Sequence, residues 1–401
     1  MKAFTEPLLS LAGFEEMTKT AEKSSGLISV TGCIDAQKSQ MIYAFGGHRK
    51  NKLIVTFGEQ KAKELYDEYS FFDKEVVYYP SKDVLFYQSD IRGNLLTAER
   101  IRALKAIREQ ERVTIVTTFD ALMNTMAPIE KMWENVLTLE QGQLLDLKEI
   151  QAALIRMGYE KEYQVQTMGQ FSVRGGILDV FPLTEENPIR IELWGDEIDT
   201  IRYFDCESQK SIENTDRVSI YPAAELVLSD EEKARGIEKL KAEAKRVSDK
   251  LRKQMKTEEA HRVSVMADEL TEEWGELSMY AGMDAFLSYF FDERVGLLDY
   301  FKPSDSLIFF DELTRCTEQG KLTETEFSES MKQRLAMGYI LPGQMNGLFT
   351  EKEIVAKLEK YSCIALGALD NKANGLHQLG SYGIHCQSVS PYNNSFELLI
   401  K

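Results

Sequence analysis

Several protein classes are excluded by what this chain does not have. It contains no run near the ~18–20 apolar residues that a membrane span needs. Its first residues, MKAFTEPLLSLAGFEEM, carry acids inside their apolar part, unlike a secretion signal. The five cysteines (Cys33, Cys206, Cys316, Cys363, Cys386) are scattered, odd in number and form no C-x-x-C pair, so neither disulfides nor a zinc site are expected. The four histidines, His48, His261, His377 and His385, show no metal-ligand spacing. These absences describe a reduced, cytoplasmic protein without a metal. Basic charge is short as well: 48 Lys and Arg against 65 Asp and Glu leave a net charge of −17. Duplex DNA is bound largely through Lys and Arg, so the chain is a poor autonomous DNA binder, although a local basic face is compatible with that total. The acidity reads either as an ordinary solubilising surface or as a face for a basic protein partner.

What is present is enough for two to three domains: 401 residues, 43% of them hydrophobic. Residues 1–137 alternate strand and helix. Leu27–Val30, KLIVTF (Lys52–Phe57), Val76–Tyr79 and VTIVTT (Val113–Thr118) read as strands. Helices are expected after Lys38-Ser39, over Glu59–Phe72, and from a Thr97 cap with the stripe Ile101, Leu104, Ile107. Such alternation implies a parallel α/β sheet. From 138 to 225 the pattern becomes β-rich after one helix opened by Asp146 and Glu149, a capping-box pair. An inserted α+β domain is expected there, with Trp194-Gly195-Asp196-Glu197 as a hairpin connection. At Ser229 a second capping box, Ser229 with Glu232, opens a long helix whose stripe is Ile237, Leu240, Val247, Leu251 and Met255. Strands return at DSLIFFDEL and KYSCIALGAL, so residues 226–401 complete the first sheet. The fold is therefore a parallel sheet built from two chain segments around an insertion.

Two constellations carry chemistry. The first is SVTGCIDAQKSQ, where an apolar run leads through Gly32 to Lys38-Ser39 at the start of a helix. A phosphate-binding loop has the form G-x-x-x-x-G-K-[ST], because its glycines let backbone N–H groups close on phosphates. In such a site the Lys reaches the terminal phosphates, the hydroxyl holds Mg²⁺, and a strand-end acid such as Asp311 or Glu312 helps to place the metal. Here Gln37 stands where the second glycine belongs, and a side chain obstructs close approach. Asp35 adds a negative charge facing the incoming phosphates; at about 4 Å and an effective dielectric near 20, each such repulsion costs about 4 kcal/mol. Lys38 is free to pair with Asp35 instead. The loop reads as vestigial, with Gly32, Asp35, Gln37, Lys38 and Ser39 as its remnants. Asp311 and Glu312 are either the matching vestigial acids or an ordinary solvated strand end. The alternative is a weak ATPase or helicase using Lys38, Ser39, Asp311 and Glu312.

The second constellation is the hairpin. In IRIELW, Ile189, Ile191 and Leu193 face one side, and Arg190, Glu192 and Trp194 the other. In FSVR, Phe171 and Val173 oppose Ser172 and Arg174. With the apolar faces in the core, Arg174, Arg190 and Trp194 point outward, and Arg and Trp are the types most enriched at interface hot spots. The competing reading is that Trp194 covers a second small core while the arginines make surface ion pairs.

These stretches, in this order, resemble a known arrangement. QFSVRGGILDVFPL, RIELWGDEIDTIRYFD and SIYPA are similar to the inserted domain of the nucleotide-excision-repair protein UvrB. LLDYFKPSDSLIFFDE and RLAMGYILP are similar to the following part of its helicase-like domain. Over essentially the whole chain the resemblance is to the N-terminal UvrB-like module of the bacterial transcription-repair coupling factors, a P-loop-NTPase-like, helicase-type fold with an inserted UvrA-binding domain. UvrB itself carries an intact phosphate loop and a Tyr-rich hairpin that clamps damaged DNA. This chain departs from the first, and YYPSKDVLFYQSDIRGNLLTAERIR leaves little room for the second, which speaks against direct damaged-DNA binding.

The resemblance implies that the inserted domain binds UvrA through Arg174, Arg190 and Trp194. It further implies recruitment of UvrA to RNA polymerase stalled at a lesion, and masking of this surface by a C-terminal domain in the full-length protein. The motor of the family, an ATP-dependent DNA translocase with its ATP and Mg²⁺, and the RNA-polymerase-binding domain lie C-terminal to this segment. The chain ends at Lys401 without a stop signal and reads as an excised fragment, non-catalytic and without a cofactor of its own.

Overall fold

The short apolar runs that alternate with helical sequence become a parallel sheet. The structure, a computed structural model, describes residues 2–9, 11, 13–45, 49–82, 93–276, 283–369 and 375–384. In chain order, β1 (Gly26–Thr31), β2 (Asn51–Thr56), β3 (Val77–Tyr79) and β4 (Val113–Thr118) come first. Then follow β5 (Leu137–Glu140), β6 (Glu160–Lys161), β7 (Gln170–Arg174), β8 (Ile177–Val180), β9 (Ile189–Trp194), β10 (Glu197–Phe204), β11 (Ser211–Thr215) and β12 (Arg217–Ile220). Finally come β13 (Ser306–Asp311), β14 (Ser362–Gly367) and β15 (Gln378–Gly383).

Among the described residues the large sheet has seven strands in the order β15-β1-β14-β13-β2-β4-β3, all parallel. Strands from the end of the chain lie between and beside strands from its beginning, so two segments build one sheet. β4, β13 and β14 are buried along their whole length, as parallel strands covered on both faces must be. Alternation divides them between two cores. Ile308 and Phe310 join Leu53, Val55 and Ile115 under the helices Gly93–Glu109 and Leu313–Ala336. Leu307 and Phe309 join Ile28, Val30 and Ile54 under the helices Asp35–Phe45 and Glu59–Tyr69.

The insertion has its own core, in which Phe171, Leu178, Ile189, Ile191 and Ile201 meet the helix Leu147–Arg156 through Ile150 and Leu154. Its main sheet runs β11-β10-β9-β8-β7-β6, antiparallel except for the short β6–β7 pair. Entry and exit strands β5 and β12 pair antiparallel, Leu137 opposite Ile220. Two ends held side by side are what lets a domain be inserted without tearing its host. The exit is also tied electrostatically to the host. Arg100, with 0% exposure, donates from Nε to Glu225 Oε1 at 2.7 Å and from Nη1 to the Pro80 carbonyl at 2.7 Å. Lys82 reaches the same Glu225 at 3.0 Å and also pairs with Asp284. Beyond the insertion, the helices Asp230–Lys253 and Thr257–Glu276 form a hairpin around Leu240, Val263 and Trp274.

Four local expectations change, the first being that the helix expected after Lys38-Ser39 already begins at Asp35. The helix expected to be capped by Thr97 begins at Gly93, so Thr97 is inside it. Met255 does not continue the stripe: the helix ends at Lys253, and Met255 stands exposed with φ 61. Asp146 caps its helix by accepting from the N–H groups of Lys148 and Glu149, while Ser229 and Glu232 form the reciprocal box. Most of the segment between β3 and the helix at Gly93, where the absence of a clamping hairpin was expected, lies outside the described residues, as do His48, His385 and Cys386. No helix among the described residues is long and apolar enough to cross a membrane.

Candidate functional site

β1 delivers the chain into the loop at Gly32, and the helix Asp35–Phe45 begins three residues later. The backbone donors a phosphate loop would aim at its ligand are used internally. Gly32 N–H donates to Ala368 O at 3.3 Å, Cys33 N–H to Gly367 O at 3.1 Å, and Gln37 N–H to Ile34 O at 3.0 Å. Gly32 has φ +80, and a Cβ there would stand 2.0 Å from the Ile384 carbonyl oxygen. Ile384 in turn donates its N–H to Thr31 O at 2.8 Å. The exit from β15 therefore packs directly against the loop glycine, which must be glycine for both reasons.

Lys38 is buried at 3% exposure inside three carboxylates. Its Nζ lies 2.5 Å from Asp311 Oδ1, 2.9 Å from Asp35 Oδ1 and 3.2 Å from Glu312 Oε1. Burial works against its charge. The attraction of Asp311, with the hydrogen bonds to Asp311 and Asp35, outweighs that and holds its pKa above the ordinary lysine value. Asp311 also accepts from Thr56 Oγ1 at 3.0 Å. Glu312 sits in the left-handed region (φ 57, ψ 65), uncommon for a residue with a side chain, and its carboxylate takes the Ala368 N–H at 3.0 Å. A solvated strand end is thus ruled out for Asp311, which is buried. Asp35 is shared with Lys61 at 3.1 Å, and the hydrogen bond from Lys38 leads the effects that lower its pKa. Ser39, the hydroxyl that would hold Mg²⁺, is buried and donates to Glu68 Oε2 at 3.3 Å. Asp35, Asp311 and Glu312 therefore converge on Lys38, while Gly32 meets Ala368 and Ile384 instead. Among the described residues no group of three or more His, Cys, Asp or Glu is arranged to hold a metal ion.

The second constellation lies on the outer face of the insertion's sheet. Register places Ser172 opposite Asp179 and Asp179 opposite Arg190. Arg190 grips Asp179 with both arms, Nε to Oδ1 at 2.7 Å and Nη2 to Oδ2 at 2.9 Å, the geometry of a strong charge-assisted pair. It also donates to Gln209 Oε1 at 2.8 Å and stacks 4.3 Å from the Phe204 ring centre. Only 12% of its side chain is exposed. Arg174 makes a single bond to the same carboxylate, 2.9 Å, and is 36% exposed. The arginines thus do make ion pairs, and both share one buried acid. Trp194 covers no second core: it is 83% exposed at the end of β9, just before the Gly195 turn (φ +64). It borders an open depression of about 750 Å³ whose other walls include Glu140, Glu197, Asp199 and Asp216.

Asp179 is the residue that sequence reasoning missed on this face. An acid inside the apolar run ILDVF, in phase with Arg190 rather than with the core residues, was the available signal. Gln209, Phe204 and Glu68 reach their sites through long-range packing that carries no local mark.

Residues 137–226 match the family model of the UvrB interaction domain. The chain is similar to the transcription-repair-coupling factor of Bacillus subtilis (strain 168), with 29% identity over 310 residues, covering 77% of this chain and 26% of that protein. With the protein of that name from Staphylococcus epidermidis (strain ATCC 12228) it shares 28% over 345 residues, covering 84% and 28%. With that from Staphylococcus aureus (strain NCTC 8325) it shares 28% over 342 residues, covering 82% and 28%. The chain spans about a quarter of the length of these curated relatives. Over that span it is similar to an N-terminal UvrB-like module of the transcription-repair-coupling factors, and its parallel sheet with a separate antiparallel sheet fits a helicase-like domain carrying an inserted UvrB interaction domain.

Proposed function

We propose that this chain is a binding module that recruits UvrA to RNA polymerase stalled at DNA lesions in nucleotide excision repair, in the cytoplasm, and that it performs no chemistry itself. The observation that carries the reading is the outer face of the inserted domain, where a fully presented Trp194 accompanies two arginines that share one carboxylate. One acid cannot neutralise two guanidinium groups, so the cluster around Asp179 keeps one positive charge for an acidic group of the partner. The tryptophan supplies the apolar anchor. RNA polymerase and DNA are engaged by other parts of a longer protein, of which a C-terminal domain masks this face until it is needed.

The caged Lys38 supports the non-catalytic part of the reading. Phosphates would have to displace three carboxylates from it, and the loop N–H groups of Gly32, Cys33 and Gln37 are already committed. The same geometry weighs against a weak ATPase built on Lys38, Ser39, Asp311 and Glu312. The deciding experiment is titration of the chain with purified UvrA beside an Arg174→Ala/Arg190→Ala/Trp194→Ala variant. Saturable binding that the variant loses is expected. Equal affinity of both forms removes the site, and no binding by either removes the function.

A further inference from the structure

We infer that Tyr163 is a further partner-binding residue of this face and that Arg174 and Arg190 have different tasks on it. The inference rests on the UvrA reading above and deepens it.

Tyr163 is 82% exposed, as open as Trp194. Exposed Tyr, Trp and Arg placed together are the composition of interface hot spots. Its backbone is fixed, because its carbonyl accepts from the buried Ser172 hydroxyl at 2.7 Å. Two residues on, the Val165 side chain is buried and its carbonyl lies against Cys206 Sγ. The ring is therefore presented from an anchored segment, which reduces the ordering cost of binding. The Arg174 guanidinium lies 5.9 Å from the ring centre, within reach of a cation–π contact.

Tyr163 sits beside β7 and Trp194 on β9, with β8 between them and Arg174 on β7. With three strand spacings of about 4.8 Å across and four residues of about 3.3 Å along β9 from the Ser172–Asp179–Arg190 row, the surface from Tyr163 over Arg174 to Trp194 spans roughly 20 Å. Arg174 occupies its middle with a single bond to Asp179 and free donors outward. Arg190 is committed: two bonds to Asp179, one to Gln209 and a stack on Phe204 leave it little surface. Arg190 is thus a positioning residue. It holds Asp179, and Asp179 holds Arg174. The occupant that fits is a carboxylate side chain of UvrA that takes the free donors of Arg174, flanked by apolar surface that meets the rings of Tyr163 and Trp194.

The test titrates purified UvrA into the 401-residue chain and its Tyr163→Ala, Tyr163→Phe, Arg190→Lys and Arg174→Lys variants, with urea unfolding of each. Tyr163→Ala is expected to weaken binding about tenfold or more with unchanged unfolding, and Tyr163→Phe to restore it. Arg190→Lys is expected to weaken binding and to lower stability together, since the bidentate fork and the stack are lost. Arg174→Lys is expected to weaken binding while unfolding stays close to that of the parent. Binding by the parent chain that Tyr163→Ala leaves within twofold overturns the role of Tyr163. An Arg190→Lys variant that loses affinity at unchanged stability overturns the division of tasks. No saturable binding by the parent chain overturns the UvrA reading itself, and this inference with it.

Discussion

Lys38 and Asp311, 273 positions apart in the chain, meet at 2.5 Å at the C-terminal edge of the parallel sheet. That edge is where open α/β sheets present their ligand crevices. Here the crevice residues neutralise one another, and the pair joins the helix Asp35–Phe45 that follows β1 to the end of β13 across the intervening strand β14. Removing one partner of a buried ion pair leaves the other charge unpaired and costs about 3–5 kcal/mol. Lys38→Ala is therefore expected to destabilise the chain by about that amount in urea unfolding. Lys38→Ala/Asp311→Ala should cost less than the sum of the two single changes. Additive losses would mean that the two side chains do not interact.

Glu225 gives the inserted domain a pH-dependent anchor. Burial opposes its charge, but Arg100 and Lys82 outweigh burial and hold its pKa at about 2, below the ordinary 4.5. A carboxylate whose pKa is lowered by folding stabilises the folded state above its unfolded pKa, and that contribution is lost as the pH falls through the folded value. Unfolding followed from pH 7 downward should thus show a loss of stability between about 4.5 and 2. Glu225→Gln should lower stability near pH 7 by about 3 kcal/mol or more and flatten this part of the profile. An unchanged acid limb in the variant would show that other carboxylates carry it.

How much of this was legible beforehand depended on range. The alternation in IRIELW placed Ile189 and Ile191 inward and Arg190 and Trp194 outward because one sheet face is buried, so period two survives in the residues themselves. DSLIFFDEL read as a strand because parallel strands are apolar on both faces. The Lys38–Asp35 pair is three residues apart and was foreseeable; it is present. Asp311 and Glu312 were expected as the strand-end acids that match the loop, whereas their direct pairing with Lys38 and the approach of Ala368 depend on a strand order that no local pattern encodes. The packing of Ile384 against Gly32 has the same origin. The helix starting at Gly93 overrides the Thr97 cap by extending one turn further back, and Met255 falls outside its stripe because the backbone turns left-handed there.

Trp194 and Arg190 should separate under mutation. Trp194 is almost wholly exposed, so Trp194→Ala removes little that holds the fold together and is expected to change unfolding by less than about 0.5 kcal/mol. As an interface anchor its loss should weaken UvrA binding by about 2 kcal/mol, roughly thirtyfold. Arg190→Ala leaves the buried Asp179 with Arg174 alone and should reduce stability and affinity together. Binding and unfolding measured side by side test this; a Trp194→Ala variant with the affinity of its parent would remove the anchor from the interface.

Restoring the phosphate-loop consensus should not restore a nucleotide site. Asp35→Ala/Gln37→Gly removes the loop acid and supplies the missing glycine. Lys38 nevertheless keeps Asp311 and Glu312, and the N–H groups of Gly32 and Cys33 keep Ala368 and Gly367. The obstruction is thus distributed over β13, β14 and the exit from β15, not confined to the two departures visible in the loop. ATP titration of the double variant is expected to give no binding tighter than ~1 mM, about −4 kcal/mol. Micromolar affinity would place the whole obstruction in Asp35 and Gln37, and would make the Lys38 cage a consequence of the empty loop instead of its lock.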